Sequence, residues 1–138
     1  MPATFKIKSV IICDDARRED NGKEILVGVY TSGIVVPAFP FRLPALTVRI
    51  VLFSSKENYE NCVLTIRGPD QKDLGIMKMG SLRLTDSHLA QVIVSGFVGA
   101  TFAAPGTYQI MLSMDSEPEL VEEFTVEARA AQGAPRTK

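Results

Sequence analysis

Hydrophobic residues recur at every second position along most of the chain, the spacing that places alternate side chains on one face of a β-strand. Ile25, Val27 and Val29 alternate in this way, as do Leu46, Val48, Ile50 and Leu52, and then Cys62, Leu64 and Ile66. Further runs are Val92, Val94 and Val98 with Gly96 on the same face, then Tyr108, Ile110, Leu112 and Met114, and finally Leu120, Phe124, Val126 and Ala128. No stretch carries the i, i+3, i+4, i+7 stripe of an amphipathic helix. Turn-forming clusters separate the runs at Asn21-Gly22, Gly68-Pro69-Asp70, Thr85-Asp86-Ser87, Pro105-Gly106 and Asp115-Ser116-Glu117-Pro118. The pattern predicts eight strands, near 5–13, 24–30 with an extension at 34–36, 45–54, 61–67, 74–84, 89–100, 107–114 and 120–128. In the fifth, Met77 and Met79 lie on one parity and Leu82 and Leu84 on the other, so Gly80 marks a bulge. The expected fold is all-β, a single immunoglobulin-like antiparallel β-sandwich of about eight strands over residues 1–128, with barrel closure as the alternative. Residues 129–138 are small, polar or basic and read as a disordered tail.

One local signature supports the sandwich. In FAAPGTYQIML, Phe102 packs inward, Pro105-Gly106 makes the turn, and Tyr108 opens a strand from which its hydroxyl can reach back to upstream backbone. That is the logic of a tyrosine corner.

Composition removes several function classes. The 138 residues include fifteen basic and sixteen acidic side chains, so the net charge of -1 provides no field for gripping a phosphate backbone. Nucleic acid is therefore not an expected partner. At the N-terminus the apolar run Val10 to Cys13 is too short for a signal peptide or a membrane span and meets two aspartates at once. A cytoplasmic protein with no membrane partner is expected, with Cys13 and Cys62 as reduced thiols. The single histidine, His88, falls in a predicted turn with no nucleophile of a recognised motif beside it. Asp14-Asp15 and Glu122-Glu123 are adjacent pairs, which on a strand point to opposite faces and cannot share a substrate. No P-loop, GxSxG, HExxH or dinucleotide fingerprint occurs. The expectation is a non-enzyme with no catalytic residues and no cofactor.

If eight strands alternate in direction, the connections fall at two ends of contrasting character. One end collects Asp14, Asp15, Glu19, Asp20, Glu57, Glu60, Asp86, Asp115, Glu117 and Glu119 against Arg17, Arg18, Lys23 and Lys56. Such loops are solvated in most proteins; the sharper reading is a calcium site, for which Asp14, Asp15, Asp86 and Asp115 are weak candidates because hard cations take carboxylate oxygens. No spaced DxDxDG loop supports it. The opposite end carries VVPAFPFRLPAL, nearly free of charge. This segment either folds back over an open core edge or forms a docking surface built from Val36, Pro37, Phe39, Pro40, Phe41 and Leu43. The leading expectation is a protein-interaction or assembly module that binds another chain or itself as a homo-oligomer, through that segment or a strand edge. Metal or small-ligand binding at the acidic end is the alternative.

The stretches IICDDARREDNGKEILVGVY, VVPAFPFRLPALTV and TFAAPGTYQIMLSMDSEPELVEEFTV resemble an uncharacterised bacterial family of small cytosolic β-sandwich domains. Gly22-Lys23, Gly28, Tyr30, Phe39-Pro40, Leu43-Pro44 and Pro105-Gly106-Thr107-Tyr108 carry the resemblance. It implies the fold and the compartment and brings no activity.

Overall fold

The structure, a computed structural model, describes residues 5–31, 33–84 and 91–129. Nine strands and no helix are found among them: β1 (Phe5–Arg18), β2 (Glu24–Tyr30), β3 (Ile34–Val36), β4 (Phe41–Ser54), β5 (Asn58–Arg67), β6 (Asp73–Arg83), β7 (Gln91–Phe102), β8 (Gly106–Met114) and β9 (Glu117–Ala128). They form two sheets, ordered β2-β1-β4-β7 and β3-β9-β8-β5-β6. No helix among the described residues is long and apolar enough to cross a membrane. Residues 130–138 of the expected tail lie outside the description, while the Arg129 amide still donates to the Val36 carbonyl at 2.7 Å.

The core forms where the period-two runs of the two sheets face each other. Leu46, Val48, Ile50 and Leu52 of β4 meet Leu64 and Ile66 of β5 and Ile110, Leu112 and Met114 of β8, all essentially inaccessible. Each such side chain contributes about 1.5–3 kcal/mol by leaving water. The corner forms as expected: the Tyr108 hydroxyl donates to the Ala104 carbonyl at 2.6 Å. The bulge at Gly80 is present too, with φ +68° and a register shift against Cys62 and Val63.

Two expectations require correction. The stretch 34–36 does not extend β2. It is a separate strand that crosses to the other sheet and pairs with β9 in parallel, so the architecture is not wholly antiparallel. Inserting this extra traverse also shifts the parity of the ends. β2 and β4 both run antiparallel to β1, so the β1–β2 turn sits at the opposite end from the β4–β5 and β8–β9 turns. The acidic residues expected on one rim are thereby split between two. Side-chain facing is the second correction. Ile25, Val27 and Val29 are each about 45% exposed, and Val92, Val94 and Val98 face solvent while Ile93, Ser95 and Phe97 turn to the core.

Beyond Cys13, β1 leaves β4 and continues only with β2, forming a two-stranded arm. Arg49 lies opposite Ile11, and Glu24 lies opposite Arg18, seven residues further along β1. An extended strand would separate those levels by about 23 Å. The Arg49 guanidinium nevertheless binds the Glu24 carboxylate at 2.8 Å, so the arm folds back over the outer face of its own sheet. Gly28, at φ +67°, permits the bend: a Cβ there would meet the Asp14 carboxylate at 2.2 Å.

Candidate functional site

The segment from Val36 to Leu43 reaches the core rather than solvent. Val36 is 1% exposed, and Phe39, Phe41 and Leu43 pack against the buried cluster, leaving Pro37, Ala38, Pro40 and Arg42 as its exposed surface. The hydrophobic residues of this loop close the end of the sandwich where β3 hands over to β4. Of the four candidate cation ligands, the three that are described, Asp14, Asp15 and Asp115, each have other partners. Asp14 accepts from the Tyr30 hydroxyl at 2.7 Å, and Asp15 binds Arg17 at 2.9 Å. At the far end, Asp115 accepts from the Glu60 amide at 2.7 Å and pairs with Lys56. Those contacts hold the Asp115 carboxyl below its ordinary range, the backbone donor first and Lys56 second. Asp86 and His88 lie outside the described residues. Among the described residues no three potential ligands gather around one point. Cys13 and Cys62 are both buried and unbridged, and burial pushes both thiols up from their usual range.

The feature that sequence reading did not localise lies on the open side of the sandwich. The β2 ladder on β1 ends at Tyr30 opposite Ile12. The chain then crosses between the sheets, passing so close to β9 that a Cβ on Gly33, at φ +113°, would lie 2.5 Å from the Thr125 hydroxyl. The β3 ladder on β9 begins only at Ile34 opposite Val126. Below this crossing, β1 from Phe5 to Ile11 pairs only with β4, and β9 from Glu117 to Thr125 pairs only with β8, among the described residues. Both sheets thus lose their outer partner over the same half of the same side.

A cleft of about 530 Å³ lies at the upper end of this notch, just below the crossing. The cleft's lining is mostly polar: Tyr30, Thr31 and Gly33 close the upper end, Glu122, Glu123 and Thr125 of β9 with Thr107 of β8 form one wall, and Val10, Ile12 and Phe124 supply a narrow apolar floor. Burial, reinforced by the neighbouring Asp14 carboxylate, pushes the Tyr30 phenol up to about 12. It is a neutral hydrogen-bond donor at physiological pH. The β9 wall is irregular, because the register slips between Ile110 and Met111, leaving Val121 as the extra residue. Pro118 sits on the same edge opposite Ser113. A proline fits an outer strand where its missing donor faces away from the neighbour. Leu120, two residues on and opposite Met111, therefore directs its amide outward as well.

A second cleft, of about 470 Å³, opens beside the tyrosine corner between Pro69, Leu74, Ala103, Ala104 and Tyr108. Its walls are mostly apolar, with Asp70, Lys72 and Asp73 on the rim.

Comparison with known proteins adds the following. A family model described as a family of unknown function (DUF6941) matches residues 8–127. The comparison with curated proteins gives no match.

Proposed function

The chain belongs to that family of unknown function, and since membership assigns no activity, we propose from the notch itself that the domain is a non-enzymatic interaction module. It captures an extended segment of a partner protein by strand addition. The observation that carries this reading is the coincidence of two strand edges that, among the described residues, have no strand partner and one cleft that opens between them. Strand addition draws affinity from main-chain hydrogen bonds along a free edge and specificity from side chains that alternate into pockets. The free length of β9 is nine residues, from Glu117 to Thr125, which at ~3.3 Å each offers roughly 30 Å of edge. The described carboxylates lend no support to the calcium alternative, and Val36, Phe39, Phe41 and Leu43 of the proline-rich loop are turned to the core rather than offered to a partner.

Native-state amide exchange tests the reading, using eight-residue peptides that alternate valine with a polar residue. At least one such peptide should slow exchange along 117–125 or 5–11 and nowhere else. Leu120→Ala should keep this protection, because Leu120 is 44% exposed and outside the core. Leu120→Pro should lose it, because proline deletes an outward donor without disturbing the β8 ladder. If no peptide protects either edge, strand addition at the notch is wrong.

A further inference from the structure

We infer that the segment accepted by the notch is basic: an extended strand in which lysine or arginine alternates with apolar residues and acidic residues are absent. This rests on the strand-addition reading and specifies its partner. β9 carries Glu117, Glu119, Glu122, Glu123 and Glu127 and no basic residue. Two of these carboxylates line the cleft. The register pairs Glu122 with the core residue Ile110, which places Glu122 on the inward face of the strand; its side chain stays exposed in the cleft lining and its carboxylate accepts from the Glu123 amide at 3.0 Å. Glu123 lies on the opposite face and is steadied by the Gln109 side-chain amide at 3.2 Å.

Among the described residues no basic side chain lines this cleft. The nearest lysines along β1 do not compensate. Lys6 pairs in register with Phe53 on the outer face, and the Lys8 ammonium sits over the Phe53 ring at 5.6 Å. A strand laid against β9 would cover Glu122 and Glu123. Covering a carboxylate without a counter-charge is unfavourable, and an inward-pointing charge on an edge strand is a known guard against indiscriminate pairing. The same charge becomes an attraction for a strand that brings its own cation, through charge-assisted hydrogen bonds. The cations of such a strand face outward beside Glu123, and the apolar residues alternating with them face inward over Val10, Ile12 and Phe124.

The test uses the full chain and three acetylated octapeptides in which valine alternates with lysine, serine or glutamate, followed by titration and amide exchange. The lysine peptide should bind at least tenfold more tightly than the serine peptide, weaken as salt rises, and protect 117–125; the glutamate peptide should not bind. Glu122→Lys combined with Glu123→Lys, both exposed positions, should invert the order. Serine or glutamate peptides that bind as tightly and protect the same edge would overturn the basic specificity while leaving strand addition standing. Absence of protection by all three would overturn both. A lysine peptide whose affinity survives the double charge reversal binds elsewhere and overturns the assignment. So does light scattering that reports a dimer whose edges are already protected without peptide, since a second copy then fills the notch.

Discussion

The tyrosine corner permits a stability effect to be worked from the geometry. Tyr108 is 1% exposed, its ring stands edge-on to Phe102 at 5.2 Å, and it stacks on Phe124 at 5.7 Å. Its hydroxyl donates to the Ala104 carbonyl at 2.6 Å. Tyr108→Phe removes the donor and keeps the ring. A carbonyl stranded in a sealed interior would cost up to about 3 kcal/mol. Ala104 and Tyr108 both line the open cleft beside the corner, however, so water can replace the lost donor. The expected cost is therefore about 1 kcal/mol, a fall in melting temperature of roughly 3–5 °C for a chain of this length. Tyr108→Ala also empties an aromatic-sized space and forfeits both ring contacts, for about 3–5 kcal/mol. Urea unfolding followed by circular dichroism measures both, with the slope unchanged if only stability moves. Burial also raises the Tyr108 phenol above its unfolded value of 10.0. The folded state then holds its proton longer, so this contribution is complete below pH 10 and is lost as pH rises through the folded value. Tyr108→Phe should blunt that alkaline loss. A Phe variant as stable as the parent, with the same alkaline limb, would refute the hydroxyl's role and leave only a packed ring.

Three further outcomes are expected. Replacing Phe39 and Phe41 together with serine should destabilise the domain by about 2–4 kcal/mol, since both half-buried rings pack on the core; an unchanged denaturation midpoint would return them to the surface. The Arg49 guanidinium holds the Glu24 carboxyl below its ordinary 4.5, so the stabilisation is present above that value and lost as pH falls through the lowered one; Glu24→Gln should flatten this part of the acid limb, and superimposable curves would deny the latch. Asp14→Asn removes the charge beside the Tyr30 phenol, so its titration should move down from about 12 while burial keeps it above 10.0, which ultraviolet titration against Tyr30→Phe can follow.

The alternation of β4, β5 and β8 was legible because one face of each strand is dry and the other wet, so polar residues punctuate the apolar ones. It failed on β7 because Val92, Ile93, Val94, Phe97 and Val98 are apolar on both faces. There the periodicity carries no information about which parity is inside. It misled on β2 because that strand belongs to the arm, whose Ile25, Val27 and Val29 are half-exposed rather than facing a second sheet. Three residues are too few to show a period, so β3 read as a continuation of β2, and the two ends of the molecule were mis-sorted as a result. Tyr108 was legible because the corner is local, with donor and acceptor four residues apart. The notch was not, because an unpaired edge is defined by where other strands stop. Its one local trace is the pairing of Glu122 and Glu123 beside Phe124 in an otherwise alternating strand.

The strand that crosses between the sheets also bears on how the chain is made. Ile34 pairs with Val126, 92 positions later, and each sheet draws its strands from both early and late stretches of the sequence. A ribosome adding ~5–20 residues per second releases β3 several seconds before β9 exists to receive it. Throughout that interval the inward side chains of β4 lack the β8 and β9 surfaces that cover them in the finished domain. Non-local pairing of this kind places folding in the slow, late-cooperative regime. The nascent chain therefore carries exposed strand edges through most of its synthesis, and the glutamates of β9, the last of the described strands to emerge, arrive only when the eight before it are already waiting.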